Sequence, residues 1–210
     1  MLMTRHTLRS AGPRHAYAAR PAKRIADMLV LRYRREGGDV PMKRQALQFS
    51  EPLKQAILDE HKVQARRIVK PQPSKPTTAW FADASDSSRW IAMGPADGCA
   101  ELRRTSNWIT CPFGKTGQSI ELEDENGVRF ATAVVVGVRI QRLQQLTEAD
   151  ARAEGTQAIY QSSALLPGVP LLTAFAINWC ERYGAHAWAA NPWVWVVEFR
   201  RQHPGTAPDF

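Results

Sequence analysis

The residues best suited to chemistry lie in a short basic stretch, His61-Lys62-Val63-Gln64-Ala65-Arg66-Arg67. If this stretch is a strand, alternate side chains point to opposite faces, so Arg67 shares a face with Val63 and Ala65. A guanidinium on an apolar face needs an acceptor such as a carboxylate or a phosphate. The pattern therefore indicates either an anion-binding strand or a solvated edge strand whose charges prevent aggregation.

Two further residues could take part in such a site. Glu154 is predicted to end a short helix, where the helix dipole disfavours a carboxylate, so it is either an ordinary surface glutamate or a functional acid. Trp188 lies in a predicted loop and is the tryptophan best placed for exposure and for stacking on a base. Helix or strand spacing instead predicts a core position for Trp179, Trp193 and Trp195.

Several kinds of site are excluded by spacing. The loop Gly114-Lys115-Thr116-Gly117 lacks the pattern of a nucleoside-triphosphate-binding loop. The three cysteines are scattered, so neither a metal site nor a redox pair is predicted, and no cofactor is expected. Such cysteine use is typical of a reducing cytoplasm, where we expect the protein to act. The longest strongly apolar stretch, residues 131–138, is too short to cross a membrane, so no membrane partner is expected.

The net charge of +8 is concentrated near the N-terminus. Residues 1–41 carry nine Lys/Arg and three Asp/Glu, whereas residues 42–210 carry 19 and 17. Codons for Glu36-Gly37-Gly38-Asp39 can form a bacterial ribosome-binding sequence upstream of Met42, so residues 1–41 are predicted to be a translated leader. The alternatives are a disordered basic arm that touches nucleic acid and an organellar transit peptide.

Residues 42–210 are predicted to form one α+β domain, a small partly open β-barrel with short helices between its strands. Strands are predicted over residues 45–49, 63–69, 119–122, 128–143 and 193–199, with two short ones between 80 and 93. Helices are predicted over residues 51–60, 148–154 and 171–182, the first two with Ser50 and Thr147 as N-caps. Residues 95–107 are predicted to be rich in turns, and residues 156–169 irregular. The strand over 193–199 is apolar on both faces, which is typical of an interior strand.

Three stretches carry a more specific pattern. The first joins Phe49-Ser50-Glu51-Pro52 to Lys62-Val63-Gln64-Ala65-Arg66-Arg67-Ile68-Val69-Lys70-Pro71, a helix that leads into a basic strand. The second is the short helix Leu146-Thr147-Glu148-Ala149-Asp150-Ala151-Arg152-Ala153-Glu154-Gly155, and the third is the closing strand Asn191-Pro192-Trp193-Val194-Trp195-Val196-Val197-Glu198-Phe199. Taken together and in order, they resemble the ASCH family, a relative of the PUA-like RNA-binding barrels, and in particular its phage and prophage members.

The resemblance implies a PUA-like mixed β-barrel with short flanking helices and a cleft that accepts RNA or a modified nucleoside. In the leading hypothesis the chain is a phage-encoded, non-catalytic binding module. Glu154 would orient one of the cations. The residues predicted to contact the ligand are Lys62, Gln64, Arg66, Arg67 and Trp188.

Two alternatives remain open. Some small ASCH proteins are amidohydrolases that deacetylate N(4)-acetylcytidine through a Lys, a Thr three residues later and a Glu in the short helix. These positions match Lys62, Ala65 and Glu154, and because Ala65 has no hydroxyl the sequence favours binding over catalysis. Lys62 and Glu154 would be the acid–base pair of any hydrolysis. The other alternative is an accessory phage protein whose barrel is a scaffold for a protein partner.

Overall fold

A computed structural model of the chain describes residues 45–95, 101–162 and 168–203. The strands are β1 Leu47–Phe49, β2 Gln64–Ile68, β3 Ala79–Ala82, β4 Arg89–Pro95, β5 Leu102–Arg104, β6 Ile109–Thr110, β7 Ser119–Asp124, β8 Arg129–Arg142 and β9 Trp193–Arg201. The helices are α1 Glu51–Leu58, α2 Glu148–Ala153, α3 Thr156–Ser162 and α4 Leu171–Tyr183, with a 3-10 turn over Leu143–Gln145. The predicted leader, residues 1–41, lies outside the described residues, so the boundary at Met42 stays a prediction.

The strands form two sheets. The larger has the order β1-β7-β8-β9-β2, in which β1 is parallel to β7 and the other pairs are antiparallel. The smaller has the order β3-β4-β5, with β6 also paired to β4. A bulge between Val135 and Gly137 interrupts the register of the long strand β8 with β9, and a bulge of this kind bends a strand.

The two outer strands of the larger sheet, β1 and β2, approach each other in a seam. The Arg67 Nη2 on β2 donates to the carbonyl oxygen of Gln48 on β1 at 2.7 Å. The sheet is therefore nearly closed into a barrel, and α1 connects the two strands of the seam. The predicted α+β fold, a small mixed β-barrel with short helices, is confirmed.

Strand β9 separates two apolar cores. One face contributes Trp193, Trp195, Val197 and Phe199 to the main core, which also contains Phe49 and Ala65. The other face contributes Val194 and Val196 to a second core beneath α4. The strand lies between β8 and β2 and is apolar on both faces, so the prediction of an interior strand is confirmed.

The helices next to the seam begin where their sequences predict, although the side chain of Ser50, the N-cap of α1, makes no capping hydrogen bond. In α1, Glu51 and Pro52 occupy the first turn, and Leu53, Ala56 and Ile57 form the buried face. In α2, the side chain of Thr147 accepts a hydrogen bond from the backbone nitrogen of Asp150, whose carboxylate accepts from the backbone nitrogen of Thr147 in return. This reciprocal capping confirms Thr147 as the N-cap.

Two predictions about irregular segments are wrong. Residues 156–162, predicted to be irregular, form α3, since burial of Thr156 and packing of Ile159 against the main core stabilise a helix that has little propensity of its own. Within the segment predicted to be turns, β5 pairs with β4 although its three side chains are all exposed. An exposed edge strand does not need alternating apolar and polar residues, so the sequence pattern did not predict β5. Among the described helices, none has the length and apolar character of a transmembrane span.

Candidate functional site

A cavity of about 580 Å³ opens at the seam between β1 and β2. Lys62, Arg66 and Arg67 line it from the strand side, and Glu154 and Thr156 line it from the junction of α2 and α3. One face of α4 forms the opposite wall. The residues of that face are Phe175, Asn178, Trp179, Arg182 and Tyr183, whose spacing is that of one helix stripe.

Lys62 is buried, and its ammonium group is fully paired within the protein. Its Nζ donates to Glu154 Oε2 at 3.0 Å, to the carbonyl oxygen of Glu154 at 2.7 Å and to the carbonyl oxygen of Gln64 at 2.6 Å. An ammonium group has three protons to donate, and three protein acceptors surround it. Lys62 therefore lies at the cavity with no proton left for a ligand while this arrangement holds.

Arg66 is the second buried cation that Glu154 neutralises. Its Nη1 donates to Glu154 Oε1 at 2.9 Å and also hydrogen-bonds the side-chain oxygen of Gln64, while its Nη2 lies 3.2 Å from Asp150 Oδ2. Only 2% of the residue is exposed. Arg66 therefore serves as a buried structural cation between two carboxylates, and the alternative of a solvated edge strand is wrong for this face of β2.

Asp150 stabilises the buried ion cluster of Lys62, Arg66 and Glu154 but does not line the cavity. The sequence did not reveal it as a site residue. Its carboxylate also accepts a hydrogen bond from Arg139 Nη2 at 2.8 Å. Burial raises the pKa of Asp150, but hydrogen bonds from Thr147 and the charge of Arg66 outweigh burial and hold the pKa at about 2. The capping pattern explains the position of Asp150 in α2, whereas its pairing with Arg66 depends on tertiary structure.

The pKa of Lys62 is lowered to about 8, chiefly because burial disfavours the charged ammonium. The carboxylate of Glu154 opposes this effect through its charge and its hydrogen bond. The ammonium can therefore lose its proton slightly above neutral pH, where an ordinary lysine keeps it.

Gly155 allows Lys62 to approach the junction of α2 and α3. Its φ is +72°, a left-handed conformation that favours glycine. A Cβ at this position would lie 3.0 Å from Lys62 Cβ and 3.4 Å from Leu53 Cδ2. The contact with Lys62 is closer than ordinary packing, so the junction requires glycine for both conformation and space.

Arg67 differs from its neighbour Arg66 in having no acidic partner. Its guanidinium lies over the ring of Phe49, 5.4 Å from the centroid, and donates to the carbonyl oxygens of Gln48 and Arg66. Among the described residues, no carboxylate oxygen lies within 4.0 Å of it. Arg67 therefore presents an unneutralised positive charge to the cavity.

The wall formed by α4 combines aromatic rings with unpaired donors. Trp179 stacks on Phe175 at 5.9 Å between centroids and lies 4.4 Å from the ring of Tyr183. Neither Asn178 Nδ2 nor Trp179 Nε1 has a hydrogen-bond partner among the described residues. A buried donor without a partner costs free energy, and both of these atoms belong to residues that line the cavity.

The structure brings four predicted residues together at the cavity: Lys62, Arg66, Arg67 and Glu154. It places the other two elsewhere. Gln64 is buried beside the cavity, where its side chain links Arg66 to Glu198, and Trp188 packs edge-on against Phe175 with 6.3 Å between centroids. Neither lines the cavity, so their positions give no support to the predicted ligand contacts. Ala65 lies in the main core and does not line the cavity either.

The α4 residues were missed because helix spacing alone does not tell which strand a helix face will meet. Trp179 was predicted to be in the core, and with 5% of its surface exposed it is, although it also lines the cavity. The spacing of Trp179, Arg182 and Tyr183 could have grouped them on one face. Among the described residues, no group of three or more His, Cys, Asp or Glu side chains could hold a metal ion.

No protein-family model and no curated protein matches the sequence. The solved structures that match this chain include the following two. One is a crystal structure of an Enterococcus faecalis V583 protein of the family DUF984, with 12% identity, a TM-score of 0.39, and coverage of 90% of this chain and 99% of that chain. The other is the ASCH domain from Lactobacillus crispatus JV V101, with 11% identity, a TM-score of 0.36, and coverage of 84% and 92%. At these identities and TM-scores neither protein assigns a family, an activity or a ligand to this chain.

Proposed function

We propose that this chain is a binding module for RNA or a small nucleoside derivative and that one base enters the cavity at the seam. The observation that carries the proposal is the wall of α4, where aromatic rings stand beside the unpaired donors Asn178 Nδ2 and Trp179 Nε1. Aromatic side chains bind bases through their faces, and unpaired donors select for acceptors on the edge of a base. A base supplies both a flat apolar face and such an edge.

Binding is favoured over catalysis because the buried charges are already paired. Both carboxylate oxygens of Glu154 and all three protons of Lys62 are engaged within the protein. Ala65 packs in the main core, so an Ala65→Thr substitution would bury a hydroxyl there and would not add a nucleophile to the cavity. The cluster therefore serves as a rigid, charge-balanced floor beneath the ligand.

Trp179→Phe is expected to weaken ligand binding by roughly tenfold, since it removes the unpaired indole N–H and keeps an aromatic ring in the wall. Isothermal titration with the four ribonucleosides and with a short single-stranded RNA of mixed sequence measures this effect. Trp188→Phe is the matched control, because Trp188 does not line the cavity. If the unaltered protein binds none of these probes, or if the two variants lose affinity equally, the base is not held at this wall.

One observation favours a second candidate function, hydrolysis of the acetyl group of N(4)-acetylcytidine. Lys62 Nζ lies 3.0 Å from Glu154 Oε2, and the lowered pKa of Lys62, about 8, would let its amine accept a proton from an attacking water. Release of acetate would then rise with pH through about 8. Chromatography of N(4)-acetylcytidine incubated with the protein tests this, and a reaction mixture that yields no cytidine above the uncatalysed rate leaves binding as the function.

A further inference from the structure

We propose that the mouth of the cavity is a phosphate subsite formed by Arg67 and Arg182, so that the ligand is a nucleotide residue and not a bare nucleoside. This inference rests on the proposed function, because it assumes that a base occupies the same cavity. It adds the chemical class of the ligand, a base that carries a phosphate.

The first reason is the difference between two adjacent arginines on β2. Arg66 is enclosed and neutralised by Glu154 and Asp150, at 2.9 and 3.2 Å. Arg67 lines the same cavity but donates only to backbone carbonyl oxygens. A carbonyl oxygen accepts a hydrogen bond without neutralising the charge, so Arg67 keeps a positive charge that no described carboxylate pairs with directly.

The second reason is that another cation lies at the same opening. Arg182, an exposed residue in the last turn of α4, lines the cavity beside Tyr183, and its guanidinium carbon is 5.8 Å from the ring centroid of Tyr183. Burial lowers the pKa of Arg67 and the neighbouring charge of Arg182 lowers it further, whereas Tyr183 and Glu154 oppose this effect. Two cations that repel each other inside one opening are stabilised by an anion between them.

The acidic residues at the opening do not already act as the anion between Arg67 and Arg182. Glu125 and Glu181 also line the cavity, yet no oxygen of either is within 4.0 Å of Arg67 or Arg182 among the described residues. The planar guanidinium groups of the two arginines suit the geometry of phosphate oxygens, and the hydroxyl of Tyr183 can supply a further donor.

The third reason is the order of groups along α4. Asn178 and Arg182 are four residues apart, about 6 Å along a helix axis. The unpaired donors Asn178 Nδ2 and Trp179 Nε1 therefore lie one turn from the cation of Arg182. A ligand that satisfies both ends needs acceptors on an aromatic ring at one end and an anion at the other, and a nucleotide residue has both.

The test compares each of the four ribonucleosides with its 5′-monophosphate, and includes inorganic phosphate alone, by isothermal titration with the full-length chain. The unaltered protein is expected to bind at least one monophosphate about tenfold or more tightly than its nucleoside, the size of one or two charge-assisted hydrogen bonds. Arg67→Met and Arg182→Met should each reduce this advantage of the monophosphate over its nucleoside. Arg103→Met, which removes an exposed arginine that does not line the cavity, is the matched control and should change neither affinity.

The outcomes separate this inference from the function on which it rests. If nucleosides bind and their monophosphates bind no better, or if Arg103→Met reduces the advantage as much as Arg182→Met does, the phosphate subsite is overturned and the base site stands. If neither nucleosides nor monophosphates bind, both proposals fall. If Arg67→Met lowers the stability of the seam, Arg182→Met still tests the phosphate subsite, because Arg182 is exposed.

Discussion

Glu154→Gln is expected to lower the free energy of unfolding by about 3–5 kcal/mol at neutral pH, the cost of removing one partner from a buried ion cluster. The carboxylate pairs with Lys62 at 3.0 Å and with Arg66 at 2.9 Å, and both cations are almost fully buried. Glutamine keeps the size and one acceptor of glutamate but removes the charge, so Arg66 would keep Asp150 as its acidic partner and Lys62 would have none among the described residues. The loss should become smaller above pH 8, where Lys62 can release its proton.

Urea denaturation followed by circular dichroism measures this change. Glu148→Gln is the matched control, since it makes the same substitution in α2 at a residue whose partner, Arg152, is exposed. An exposed pair of this kind contributes less than about 1 kcal/mol. Equal losses in the two variants would mean that the cluster around Glu154 is solvated and not a buried structural unit.

The stability contributed by Lys62 is expected to rise with pH between about 8 and 10.5. The pKa of Lys62 is about 8 in the folded chain against an ordinary value of 10.5, so between these values the unfolded chain binds more protons than the folded chain. Stability rises with pH wherever the unfolded state binds more protons. The unfolding free energy of the unaltered protein minus that of Lys62→Met should therefore increase by about 3 kcal/mol across this window.

Urea denaturation of both proteins at several pH values gives this difference. Burial raises the pKa of Cys111 to about 12, which destabilises the fold at alkaline pH, but this effect is common to both proteins and cancels. Lys75→Met, at an exposed position, is the matched control and should give a difference that does not change with pH. If the unfolding free energy of the unaltered protein minus that of Lys62→Met stays constant or falls as pH rises, the burial of a charged Lys62 is contradicted.

The sequence predicted those parts of the fold whose signals are local. Alternation identified β9, the cap residue Thr147 identified α2, and the sequence resemblance grouped Lys62, Arg66, Arg67 and Glu154. Alternation placed Arg66 and Arg67 on opposite faces of β2 and indicated an anionic acceptor for Arg67. The structure instead gives the carboxylates of Glu154 and Asp150 to Arg66, because the position of α2 decides which arginine is neutralised.

The wall formed by α4 was beyond prediction for a related reason. Trp179 and Arg182 meet β2 only because the chain passes through α3 and brings α4 back across the seam. The segment that includes α3 carries no strong helix signal, so the return path was not visible. Trp188 lies in a loop as predicted and is partly buried, because its indole packs against Phe175 of the second core.

The position of β9 between two cores and two strands governs how the domain is made in the cell. The strand comes after every other described helix and strand in the chain, yet β2, β8 and both cores depend on it. A nascent chain emerging from the ribosome therefore exposes the apolar faces of β2 and β8 until β9 has been synthesised and released. We therefore expect the domain to complete its folding only after β9 has left the ribosome.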